Sequence, residues 1–453
     1  MAGGKVRSSA DGLPCRSESF WTWTRIALLS FGGPAGQIAV MHRILVEEKK
    51  WISERRFLHA LNYCMLLPGP EAQQLAVYIG WLMHRVRGGI VSGGLFVLPG
   101  LVSLGVLSWL YAAYGQIGLV ASLFFGLKAA VLAIVLDAVV RIGKRALKGP
   151  VLVAIAAAAF VSIFVFALPF PLIILAAAAL GWFFGKPGGH GAAKDGEAGE
   201  DALIDAQFAL TLPDHVKPRW SRLVVIAAVG LVLWFLPLAI SIALLGPGNV
   251  FAAIAAFNAK MAVFTFGGAY AVLSYMAQQA VAHYHWLKPD EMLVGLGLAE
   301  TTPGPLISVV QFVGYLAAAR APEGLEPVWA GTLGGLIAMW STFVPSFLWI
   351  FIGGPYVEAL IGNQRLNAAL SAVTGAVVGV ILNLALWLAI HTLFAASMQI
   401  GPLSVPVLGS INWAAAAIAT GAMVAIFRFK AGIIPVLAAS CLAGLGLHFA
   451  QLA

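Results

Sequence analysis

Two long apolar stretches limit what this chain can fold into more than any motif does. Residues Phe20–Gly185 and Leu223–Ala453 are almost continuously hydrophobic. Between them lies a polar interruption, Lys186–Arg222, where Gly188, Gly189, Gly191 and Gly196 sit among acids and bases. Runs of this length belong in a bilayer, and the backbone inside a bilayer must satisfy its own hydrogen bonds, which helices do locally. The chain reads as an all-α polytopic membrane protein.

Composition removes most other classes. Of 453 residues, 60% are hydrophobic and only 10% charged, against about 25% charged in a soluble domain. A soluble enzyme, a nucleic-acid binder and a disordered chain are excluded. The cysteines Cys15, Cys64 and Cys441 are far apart and form no Cys-x-x-Cys pair, which argues against a disulfide framework or a cysteine metal site. The tail 1–19 carries Lys5, Arg7 and Arg16 without an apolar core and cleavage site, against a cleaved signal peptide. The chain has no His-Glu-x-x-His, phosphate-binding loop or Gly-x-Ser-x-Gly. No metal, cofactor or catalytic residue is therefore expected.

The two apolar stretches repeat each other. At a constant offset of 235, Phe31-Gly32-Gly33 meets Phe266-Gly267-Gly268 and Trp51 meets Trp286. Pro68-Gly69-Pro70 meets Pro303-Gly304-Pro305 at the same offset. Further on the register slips by a few residues, yet Gly93-Gly94 and Pro99 still resemble Gly334-Gly335 and Pro345. Tryptophan and the Pro-Gly-Pro triplet are not generic membrane residues, so chance similarity is a weak explanation.

Charge then orients the halves. Up to Arg222, 21 Lys and Arg face 13 Asp and Glu; beyond it, six face six. The loop His42–Arg56 is basic, whereas its counterpart His283–Glu291 sets Lys288 against Asp290 and Glu291. By the positive-inside rule the first-half loops are cytoplasmic and their equivalents external, which is an inverted-topology repeat. The expected organisation is a tail (1–19), a first repeat (20–185), a cytoplasmic linker (186–222), a connecting transmembrane helix (223–245) and a second repeat (246–453).

The segments flanking Gly32-Gly33-Pro34 are each roughly 12 residues, about half a span. Those flanking Pro68-Gly69-Pro70 are similarly short. They read as broken-helix hairpins that enter and leave on one side; kinked full spans are the alternative. Non-helical backbone at membrane depth is tolerated only around protein or a cavity, so the breaks at Gly32, Gly33, Pro68, Gly69, Pro70, Gly267, Gly268, Pro303, Gly304 and Pro305 are expected to bind substrate. Half-helices starting there aim positive dipole ends at an oxyanion.

The same offset pairs Arg25 with Lys260, each just before its Gly-Gly break. Together they could neutralise a dianion; snorkelling to the interface is the simpler reading. Glu71 and Glu300 flank the two Pro-Gly-Pro breaks and are candidates for proton coupling, although Glu71 could simply cap its helix. Asn62, Gln73, Gln74, Thr301 and Thr302, with Ser308 and Gln311, are candidate neutral cavity ligands or plain interhelical hydrogen-bonders. Asp137 is placed to pair with Arg141.

At these residues the sequence resembles the chromate ion transporter family in its long, two-domain form. The resemblance rests on Phe31-Gly32-Gly33-Pro34, Leu67-Pro68-Gly69-Pro70 with Gln74-Leu75-Ala76, and Gly126-Leu127-Lys128. In the second half it rests on Thr302-Pro303-Gly304-Pro305 and Val344-Pro345-Ser346-Phe347. It implies proton-driven antiport of chromate out through the bacterial inner membrane, conferring resistance. Chromate and sulfate are both tetrahedral dianions, so sulfate, another oxyanion or a passive anion channel remain alternatives. The implied partners are the dianion, protons and the lipid bilayer, with no nucleic acid; a homodimer stays open. Ala269 replaces the expected proline after Gly268, which leaves open whether the two hairpins contribute equally.

Overall fold

The structure, a computed structural model, describes residues 14–185, 202–205, 213–266, 269–357, 363–400 and 403–450. It is built of α-helices, several of them long and apolar enough to cross a bilayer. The first half opens with α1 (Arg16–Leu29), α2 (Gly33–His42) and α3 (Glu54–Leu66). Lys49 Nζ lies 2.8 Å from Glu18 Oε1, so the far ends of α1 and α2 meet. A kinked span of these lengths would hold those ends roughly 35–40 Å apart. The segment is a hairpin.

The next helix, α4 (Glu71–Tyr114), reverses direction at His84 (φ −131°) and Arg85 (φ 57°). Beyond the reversal it runs back along itself: Ser92 Oγ donates to Ala76 O at 2.7 Å, and a Cβ on Gly80 would lie 2.6 Å from Gly88 O. The arm Glu71–Met83 thus completes a second hairpin with α3, where Tyr63 and Tyr78 pack with centroids 5.2 Å apart. Three spans follow: α5 (Gly118–Ala146), α6 (Pro150–Phe164) and α7 (Phe170–Phe184).

An unmatched helix, α8 (Trp220–Leu245), leads into the second half, burying only Trp234 and Ser241. The pattern then recurs as α9 (Val250–Val263), α10 (Ala269–Gln278), α11 (Pro289–Thr301), α12 (Val309–Arg320), α13 (Pro327–Gly353), α14 (Gln364–Leu393), α15 (Trp413–Phe427) and α16 (Ile433–Phe449). The offset of 235 survives in the backbone: α3 and α11 begin and end at matched residues. Their C-caps Leu67 and Thr302 share φ −96° and ψ 149°. Lys50 and His285 are both left-handed, with φ 51° and 53°. One small feature interrupts the helices: an antiparallel hairpin, β1 (Ser397–Ile400) with β2 (Leu403–Pro406).

Matched helices meet head to tail. The long arm of α4 packs antiparallel on its counterpart α13, Gly89 against Phe351 and Gly93 against Phe347. The last helices of each half pack on the other half. A Cβ on Gly126 of α5 would fall 1.9 Å from Ser440 O of α16, and one on Gly379 of α14 would fall 2.0 Å from Ala156 O of α6. Small residues here let backbones touch, the usual way of packing helices when lipid supplies no hydrophobic contrast. Gly126→Leu should therefore cost about 1–3 kcal/mol, seen as a lower melting temperature in detergent, whereas Gly421→Leu, facing open space, should leave it unchanged.

The described part of the central linker is docked. Leu203 N and Ile204 N donate to Lys50 O and Trp51 O, and Asp205 accepts from Ser53 N and Arg56 Nε at 2.9 and 2.6 Å. Ile204 is fully buried. At 203–204 an apolar Leu-Ile pair offsets the ordering cost of the chain. Further on, His215 packs edge-on against Trp81. Burial, then Arg85 and Arg222, push its pKa below the ordinary value. The docked state thus favours neutral His215: the contact is complete above about pH 6.5 and weakens as pH falls below it. Protection factors of amides 216–222, that is, exchange rates divided by the intrinsic rate at each pH, should fall as pH drops below about 6.5, and His215→Phe should abolish that dependence.

Candidate functional site

The four hairpins converge on one another's tips. After α1 the chain leaves the helix at Ser30, and Gly32 and Gly33 take φ of 79° and 73°. Ser30 Oγ bonds back to Ile26 O at 2.7 Å, and at the matched position Thr265 Oγ1 bonds back to Met261 O at 2.9 Å. Because the helices end here, and Pro34 has no N–H to offer Ser30, the carbonyls of Ser30 and Thr265 need partners from elsewhere. Gly304 N–H donates to Ser30 O at 2.9 Å, and Gly69 N–H donates to Thr265 O at 2.7 Å. Each Pro-Gly-Pro loop of one half thereby completes the broken helix of the other, in a crossed pair of bonds between matched residues.

Glycine is required at both crossings. Gly69 (φ 134°) and Gly304 (φ 108°) lie in the region that side chains avoid. A Cβ on Gly69 would also sit 2.6 Å from Gln74 Nε2 and 2.7 Å from Ser346 Oγ. Proline on either side removes N–H donors that a loop at this depth could not satisfy. Gly100 on α4 approaches Pro303 O in the way Ser346 on α13 approaches Gly69, so α4 and α13 each brace the Pro-Gly-Pro loop of the other half.

Around the crossing, polar side chains are buried with bonding capacity unused. Gln37 Nε2 donates to Gly304 O at 2.5 Å and Gln74 Nε2 to Pro68 O at 2.8 Å. Among the described residues, Gln37 Oε1, Gln74 Oε1, both polar atoms of Gln73, Ser308 Oγ and Ser346 Oγ have no protein partner. An unpaired buried polar atom costs about 1–3 kcal/mol, and such atoms are few in most proteins. Their concentration at the four tips fits a place where water or a polar solute completes the bonds.

The other candidates divide. Pro68, Gly69, Pro70, Pro303, Gly304 and Pro305 lie at the crossing, as do Gln73 and Gln74; Gly267 and Gly268 fall outside the described residues. Thr301 and Thr302 bond back to Leu298 O and Ala299 O, and Asn62 is exposed on α3. Glu300 is buried; Tyr270 donates to its Oε1 at 2.5 Å, while its Oε2 has no partner among the described residues. Glu71 opens the short arm of α4, within electrostatic reach of Arg145. Arg141 pairs with Asp137 at 3.5 Å as expected. Arg25 is half exposed and donates to Glu48 at 2.8 Å, and Lys260 is exposed. Neither cation is enclosed beneath the tips. Ser30, Gln37, Thr265 and Tyr270 escaped the sequence reading, although hydroxyls at the matched positions 30 and 265 were a usable signal.

Membrane helices broken where the two halves exchange backbone hydrogen bonds are the architecture of a membrane transporter. A family model described as Chromate transporter matches residues 17–182 and 252–445. The chain belongs to the chromate transporter family. It is 32% identical to the chromate transport protein of Pseudomonas aeruginosa over 364 residues, covering 78% of this chain and 76% of that one. It is 28% identical to that of Cupriavidus metallidurans over 338 residues, covering 74% and 73%. A probable chromate transport protein of Synechococcus elongatus is 26% identical over 349 residues, covering 76% of this chain and 77% of that one. No solved structure matches the chain.

Gly69→Ala and Gly304→Ala should each abolish transport while the protein still reaches the membrane. Gly94→Ala, a helical position with open space around it, should retain most activity. Transport rate normalised to membrane abundance checks both.

Proposed function

We propose that the chain exports chromate across the bacterial inner membrane as a proton-coupled secondary carrier built from two inverted repeats. The repeats are 20–185 and 246–453, with 186–222 on the cytoplasmic side and 223–245 as the reversing helix. The observation that carries this reading is the crossed pair Gly69–Thr265 and Gly304–Ser30. Bonds exchanged between matched residues, with α4 antiparallel to α13, fit a two-fold axis in the membrane plane, the usual construction of such carriers.

In this reading the dianion sits among the four tips, where half-helices begin and present unpaired N–H groups. Gly32, Gly33, Gly69, Gly267, Gly268 and Gly304 keep the backbone bare for close approach, and the flanking prolines hold the loops open. Gln73, Gln74, Ser308 and Ser346 complete the polar lining. Arg25 and Lys260, at matched positions outside the tips, act on the anion only through their long-range field and not by contact. Glu300, held by Tyr270, is the proton-carrying carboxylate, with Glu71 serving mainly as an N-terminal cap. A bare dianion is costly to bury; exchanging an inward proton against the outgoing dianion adds to the positive charge moved inward per cycle, so an inside-negative membrane potential drives export.

Everted membrane vesicles test the coupling. Chromate uptake should saturate and collapse with a protonophore, and Glu300→Gln should transport at a rate that no longer responds to an imposed pH gradient. Arg25→Ala and Lys260→Ala should each lower the rate by at least about tenfold, or about 1.4 kcal/mol in the barrier. Uptake unchanged without a proton gradient would remove the coupling. Wild-type rates in both cation variants would remove that field effect.

A further inference from the structure

A partly open cavity of about 150 Å³ lies away from the hairpin tips, none of whose residues line it. It lies between α5, the start of α11, the end of α14 and the start of α15, and Lys128, Asp290, His391 and Thr392 contribute its polar wall. Lys128 stands ten residues into α5, roughly 15 Å from that helix's start, with only 23% of its side chain exposed. Its ammonium lies 3.3 Å from a carboxylate oxygen of Asp290, whose own side chain is 50% exposed.

That ion pair is easily exchanged. A half-exposed pair contributes about 0–1 kcal/mol. Asp290 also lies in the first turn of α11, where the helix dipole favours a carboxylate with or without Lys128. Other charges do not replace it: Glu291 is held by Arg320 at 2.5 Å, and 394–412 contains no charged residue. Thr392 Oγ1 is buried without a partner among the described residues. The volume is several times the about 30 Å³ share of one water, enough for a small hydrated oxyanion.

We propose that this cavity is a second oxyanion site, in which a tetrahedral dianion takes the place of Asp290 on the Lys128 ammonium and accepts a hydrogen bond from Thr392. The site deepens the transport reading, on which its sidedness rests: α5 starts, and α14 ends, on the external side. There it would hold the anion after its passage through the four tips. Exchange of Asp290 for the anion leaves Lys128 paired in both states, so neither state strands a half-buried cation.

Ala395 is exposed on the cavity wall. In a background carrying Cys15→Ser, Cys64→Ala and Cys441→Ser, Ala395→Cys reports occupancy through its rate of reaction with an uncharged maleimide in permeabilised membranes. Sulfate should slow that reaction several-fold relative to chloride at equal ionic strength. Lys128→Gln should remove the protection, Lys128→Arg should keep it, and Asp290→Asn should shift it to lower sulfate. Sulfate without effect, or protection that survives Lys128→Gln, overturns the site. Permeabilised membranes expose both faces, so this result is independent of which ion is carried. Labelling in intact cells with a charged, membrane-impermeant maleimide reads the sidedness alone: reaction there supports the external placement, and reaction only after permeabilisation overturns it.

Discussion

Backbone that leaves a helix inside a bilayer must find its hydrogen bonds elsewhere in the protein, and here each half supplies them to the other. Ser30 O and Thr265 O, exposed where α1 and α9 end, are met by Gly304 N–H and Gly69 N–H. An isolated half would leave those carbonyls and amides unpaired at membrane depth, at several kcal/mol per group. The crossing explains why glycine recurs at 69 and 304, why proline flanks both, and why small or hydroxyl residues at Gly100 and Ser346 face the loops.

The same dependence extends to the scaffold. Helices α6 and α7 pack on α14, and α15 and α16 pack on α5, so the late helices of each half finish the core of the other. Glycines at 126, 181, 379 and 444 let the backbones touch in these exchanged contacts.

Much of this was legible in the sequence. The offset of 235 predicted matched elements, and it persists in backbone angles at 50 and 285 and in the bounds of α3 and α11. Pro-Gly-Pro and Gly-Gly identified the tips because few other residues interrupt a membrane helix so completely. Hairpins could not be separated from kinked spans by length alone; the Glu18–Lys49 pair settles it in space. What remained hidden depends on contacts between distant segments. The crossing partner of Gly69 is nearly 200 residues away, and the tether of Glu300 is a tyrosine 30 residues earlier. The cations at 25 and 260 looked enclosed only because their neighbours are apolar, and spacing along a helix does not say which face meets lipid or water. The β-hairpin and the docked Leu203-Ile204 pair were too short to carry a periodic signal.

The central claim is that the repeats are inverted, and sidedness of matched positions tests it most directly. Glu47 and Ala282 are related by the same offset and both are exposed, at the ends of the first hairpin of each half. Single cysteines there, Glu47→Cys and Ala282→Cys, can be labelled with a membrane-impermeant thiol reagent. The account predicts that cysteine 282 reacts in intact cells and cysteine 47 only after permeabilisation. Labelling of both from the same side would contradict it.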